Sequence, residues 1–89
     1  MVTETERRQR ILQAVNTWLQ QLPEARRQDR LTLGREWFVT LPEGEFNCYA
    51  TSDSQGNVAL SVWVGSNLMG TNRYNPQTRT LISSHAGEA

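Results

Sequence analysis

Between Leu31 and Ile82 the chain breaks into short runs rich in β-branched and aromatic residues, and turn chemistry fills each break. Such runs, separated at short intervals, are the signature of an antiparallel β-meander. Pro42-Glu43-Gly44 separates the first two runs, and Ser54-Gln55-Gly56 separates the second from the third. Proline presets φ for the first corner of a type I turn. Glycine accepts the left-handed residue that closes such a turn as a bulge.

Read as three-residue bulge loops, both turns predict a register. Leu41 is expected opposite Glu45, Val39 opposite Asn47, and Trp37 opposite Tyr49. In the second hairpin Ala50 is expected opposite Leu60, Cys48 opposite Val62, and Phe46 opposite Val64. Side chains alternate between faces along a strand. One face should then collect Phe38, Phe46, Cys48, Ala50, Val58, Leu60, Val62 and Val64. The other should carry Trp37, Val39, Asn47, Tyr49, Ser61 and Trp63. A slip of one residue in either loop would exchange these sets.

Ahead of the meander, Thr3 to Leu22 reads as a helix. Thr3 and Glu6 have capping-box spacing, in which each side chain satisfies the other's free backbone N–H. Ile11, Val15, Trp18 and Leu22 recur at helical spacing, flanked by Leu12 and Leu19, while arginines, glutamines and Asn16 fill the other side. This amphipathic stripe is marginal alone in water and needs a surface to cover. Pro23 disfavours helical geometry at Leu22 but suits a first helical position. Residues 23–30 therefore form a polar connector or a short second helix.

The meander divides into Leu31–Leu41, Glu45–Thr51, Val58–Val64, Leu68–Tyr74 and a short edge strand at Arg79–Ile82. Residues 83–89 read as a flexible tail. The expectation is one α+β domain, 1–89, with the helix on one face of a four- to five-stranded antiparallel sheet. The alternative is a small SH3-like or Sm-like barrel capped by the helix, with Gly34, Gly65 and Gly70 as its bends.

Chemistry is sparse. Nine basic residues, all arginine, balance nine acidic ones. A neutral chain exerts no strong general pull on nucleic acid or an anionic membrane. A single cysteine, Cys48, excludes an internal disulfide and falls on the predicted apolar face. No secretory leader or membrane-spanning run is visible, so the cytoplasm is the expected compartment. The sole histidine, His85, lies in the predicted tail, where a general base could not be held in place. One histidine and one cysteine make no metal cluster. Gly65-Ser66-Asn67-Leu68-Met69-Gly70 lacks the spacing and the following helix of a phosphate loop. The expectation is a protein without enzymatic activity, cofactor or metal.

The mixed face is the stronger lead. Trp37, Tyr49 and Trp63 on neighbouring strands, with Asn47 and Ser61 between them and Arg35 nearby, are binding-surface residue types. They point to a small protein-binding module: an adaptor, an assembly factor or an inhibitor, docking by this face or by an edge strand. A homodimer is compatible with the same surface. A single-stranded nucleic-acid binder is the first alternative, with rings as stacking platforms and Arg35, Arg73 and Arg79 on phosphates. Three arginines against five acids within residues 31–89 weigh against it. A small ligand-binding or cofactor-free enzyme domain is the other alternative.

Overall fold

The computed structural model describes residues 2–87. Two helices precede five strands: α1 Glu4–Gln20, α2 Glu24–Arg30, β1 Glu36–Leu41, β2 Gly44–Ser52, β3 Val58–Val64, β4 Asn67–Tyr74 and β5 Leu81–Ala86. The strands form one antiparallel sheet in sequence order. β1 and β5 are its two edges and do not meet, so the sheet stays open and the barrel alternative is not formed. This is an α+β fold with α1 on one face of the sheet.

Half of the expected capping box is formed at the start of α1, from the Thr3 side. Thr3 has extended backbone, and its Oγ1 accepts the Glu6 N–H at 3.1 Å. Ile11, Leu12, Val15 and Leu19 are buried against the sheet, where α1 lies over β4 and β5. Trp18 reaches the other way, to Trp37, with the ring centroids 5.4 Å apart. The connector folds as the short helix α2, none of whose residues is buried. Its C-terminal end closes over β1: the Trp37 indole N–H donates to the Arg30 carbonyl at 2.8 Å, and the Arg30 guanidinium lies 5.7 Å from the Trp37 ring centre.

The second hairpin has the predicted register, with Ala50 opposite Leu60 and Cys48 opposite Val62. The first does not. Its loop is only Pro42 and Glu43, and Gly44 already belongs to β2, opposite Leu41. Val39 therefore faces Phe46, and Trp37 faces Cys48, one residue away from expectation. β1 is turned over. Trp37 and Val39 are buried in the core, whereas Phe38 is 67% exposed on the other face. Burial explains the choice. The three-residue loop would have turned Glu36, Phe38 and Thr40 inward, whereas the two-residue loop turns in Trp37, Val39 and Leu41. A one-residue slip thus replaces a carboxylate and a hydroxyl by apolar side chains.

The last strand is also shifted. It begins at Leu81 and takes in residues 83–86, which the sequence assigns to a tail; Glu88 and Ala89 of that tail lie outside the described residues. Small side chains have a structural use here. A Cβ on Gly70 of β4 would collide with the His85 carbonyl and lie 2.7 Å from Leu12 Cδ1, so helix and sheet approach to the limit at this point. Ala86 stands opposite Gly70, and Ser84 stands opposite Asn72. The register between β3 and β4 shifts beside Met69, which is the extra residue between Leu68 and Gly70 and is buried. The bulge supplies an added core side chain where the strand bends.

One polar cluster sits inside this core. Asn72, fully buried, donates through Nδ2 to the Leu12 carbonyl at 3.0 Å and to the Tyr74 hydroxyl at 3.3 Å. Its Oδ1 accepts from the Ser84 hydroxyl at 2.6 Å.

Candidate binding face

Helices cover one side of the sheet. On the other, alternation along the strands sets Glu36 and Phe38 of β1 beside Glu45, Asn47 and Tyr49 of β2, then Ser61 and Trp63 of β3. Asn47 is directly opposite both Phe38 and Trp63, and Tyr49 is opposite Glu36 and Ser61. Aromatic and β-branched residues favour strands because they fit a half-buried pleated surface. Here the rings of Phe38 and Tyr49 are left exposed instead, and that of Trp63 is half-buried.

Hydrogen bonds hold the polar residues between the rings. Asn47 Nδ2 donates to Glu36 Oε2 at 3.0 Å. The Trp63 indole N–H donates to Ser61 Oγ at 3.1 Å, and that hydroxyl donates in turn to the Tyr49 carbonyl at 3.1 Å. The Trp63 ring is therefore oriented by its neighbours. Asn47 Oδ1 is buried and has no partner among the described residues. Glu36, Asn47, Tyr49, Ser61, Trp63 and Gly65 together line one shallow groove. A second hollow beside it is lined by Phe38, Glu45, Phe46, Asn47 and Gly65.

Four of the six residues singled out from sequence, Asn47, Tyr49, Ser61 and Trp63, meet in this groove. The other two lie elsewhere. Trp37 points into the core, for the register reason given above. Arg35 precedes β1 and pairs with Asp29 of α2 at 2.9 Å. Their places are taken by Phe38 and Glu36, which sequence reasoning missed. The signal was present: Trp37, Val39 and Leu41 form an unbroken apolar alternation, and Phe38 falls out of phase with it.

Charge on this face is acidic. Glu36 and Glu45 make no ion pair among the described residues, whereas Arg73, on the same side of β4, is tied to Asp53 at 3.4 Å. Asp53 is itself held below the usual carboxylate range, first by the Asn57 backbone N–H, with the Gln55 N–H and Arg73 adding to it. His85, expected in a tail, stands exposed on β5 opposite Thr71.

The groove can hold and orient a ligand through ring faces, a carboxylate and an amide. Among the described residues no cluster of three or more histidine, cysteine, aspartate or glutamate side chains could hold a metal ion. Cys48 is buried, and burial pushes its thiol up to about 12, far from a reactive thiolate. No helix among the described residues is long and apolar enough to cross a membrane. No protein-family model matches this chain, and neither a curated protein nor a solved structure was found to be similar to it.

Proposed function

We propose that this chain is a small cytoplasmic protein-binding module, without enzymatic activity of its own, that docks a partner protein on the helix-free face of its sheet. The observation that carries this reading is the row of Phe38, Tyr49 and Trp63, exposed or half-exposed on the one sheet face that no helix covers. Exposed rings add little to folding and favour aggregation, so a row of them interleaved with oriented polar groups is suited to recognition. The acidic charge of the face argues against nucleic acid. Glu36 and Glu45 would repel the phosphates that a stacking platform must bring close.

The test uses the full chain and its Phe38→Ser and Trp63→Ser variants. Crosslinked partners captured from the native host and identified by mass spectrometry should be lost in both variants, while urea midpoints stay near wild type. Undiminished capture by both variants would remove the face from consideration. Fluorescence anisotropy with a single-stranded oligonucleotide separates the other reading: Trp63-dependent binding that falls steeply with salt would replace the protein partner by nucleic acid.

A further inference from the structure

The groove has a composition more specific than an apolar docking patch, and it indicates what the partner must present. Tyr49, Trp63 and Glu36 are among the residues that line it. Only one oxygen of the Glu36 carboxylate is engaged by Asn47. Each of these groups attracts a cation: an aromatic face through its quadrupole and a carboxylate by charge. The neighbouring Glu45 has the same sign and also lacks a basic partner among the described residues.

Resting on the docking function argued above, we propose that this groove receives an arginine side chain from the partner protein. Charge complementarity selects a cation, and the geometry of the groups selects arginine over lysine. A planar guanidinium can lie against a ring face while its edge donates to a carboxylate, whereas an ammonium is a compact and strongly hydrated point charge. A second copy of this chain has fewer arginines to offer than its composition suggests, Arg10 and Arg26 being exposed and outside the ion pairs among the described residues. Arg7, Arg8, Arg30, Arg35 and Arg73 are already in ion pairs within their own fold.

The experiment is a titration of the isotope-labelled full chain, followed by NMR, with the capped tripeptide acetyl-Gly-Arg-Gly-amide. The counterpart with citrulline keeps the shape of arginine and removes its charge. The arginine peptide should shift the Trp63 indole N–H and the Asn47 side-chain amide saturably, and the citrulline peptide should bind about fivefold or more weakly. Glu36→Gln keeps an acceptor for Asn47 Nδ2, so it should leave the urea midpoint unchanged while weakening the arginine peptide by a similar factor. Raising salt from about 0.05 to about 0.5 M should weaken it further. Equal binding of both peptides, or no saturable shift at Trp63, overturns the proposal. So does a shift of the same resonances on dilution alone, which would make a second copy the occupant. Capture of the host partner separates this proposal from the docking function. Loss in Trp63→Ser with full retention in Glu36→Gln defeats only the arginine; retention in Trp63→Ser defeats the docking surface itself.

Discussion

The side-chain amide of Asn72 donates to the main-chain carbonyl of Leu12 across 3.0 Å, joining β4 to the middle of α1 over a sequence separation of 60. A helix carbonyl already accepts one bond from its own turn, and the second lone pair is used here to fix where the helix rests. Asn72→Ala should therefore cost more than a surface polar change. It leaves the buried Tyr74 hydroxyl and the half-buried Ser84 hydroxyl without their partner, and urea melts should show a loss of about 2–3 kcal/mol. Tyr74→Phe removes a single, longer bond and should cost about 1 kcal/mol. A larger loss for Tyr74→Phe than for Asn72→Ala would show that Asn72 is not the centre of this cluster.

The orientation of β1 is open to a direct comparison. Trp37→Ala empties a buried site between Trp18 and Arg30 and should destabilise by about 3–5 kcal/mol. Phe38→Ala, one residue on, removes an exposed ring and should change stability by less than about 1 kcal/mol. Reversed effects in urea melts would mean that the first hairpin has a three-residue loop after all.

Gly70 should tolerate no side chain. The added methyl of Gly70→Ala meets the His85 backbone, which belongs to the adjacent strand and cannot rotate away. A loss of roughly 3 kcal/mol or more is expected, with β5 amides losing hydrogen-exchange protection first. A variant as stable as wild type, with β5 protected, would show that helix and sheet are not this close.

Alkaline stability should carry the mark of two buried groups. Burial raises Cys48 from its ordinary 9.0 to about 12, and it raises Tyr74 well above its ordinary 10.0. Both are acids that keep their proton in the folded state after the unfolded chain has released its own. The unfolded state then binds fewer protons, so stability falls as pH rises, from about pH 9 for Cys48 and from about pH 10 for Tyr74. Each contributes a slope of about 1.4 kcal/mol per pH unit above its onset. Cys48→Ala should flatten the decline between about pH 9 and 10 in urea midpoints and roughly halve it above about pH 10. Parallel curves for variant and wild type would refute the assignment.

Much of this architecture was legible in the sequence because its causes are local. The Thr3 cap, the apolar stripe of α1 and the five strand-like runs need no information from distant residues. The second loop is also local: Asp53 Oδ1 accepts the Gln55 and Asn57 N–H groups, both at 2.8 Å, and Gly56 takes φ +79°. The first loop offered the same Gly signal, yet Gly44 uses its freedom at φ +142° within the strand. Which residue of β1 faces inward was settled by what Trp18, Arg30 and Cys48 could cover, a contest between distant surfaces. The candidate site inherited that error in part. Asn47, Tyr49, Ser61 and Trp63 come together from the sequence alone because the β2–β3 register follows from its loop, while the β1 register exchanges Trp37 for Phe38 and Glu36. Strand β5 is harder to read for a related reason: its serines and alanine suggest a tail, and only its pairing with β4, Ala86 opposite Gly70 and Ser84 opposite Asn72, makes it a strand.

The position of α1 over β4 and β5 has a consequence for how the chain comes into being. The helix leaves the ribosome well ahead of the strands that form its berth. At about 5–20 residues per second, its apolar stripe waits several seconds for β4 and β5 to emerge. During that interval β1, β2 and β3 can pair through short loops, which is the fast kind of contact. Docking of α1 on β4 must close a sequence separation of 60 residues and should come late. Pulsed hydrogen exchange during refolding should then find β2 and β3 amides protected ahead of β5, and α1 secured only when Asn72 can reach the Leu12 carbonyl. Until that moment an unplaced amphipathic helix is this protein's most adhesive part.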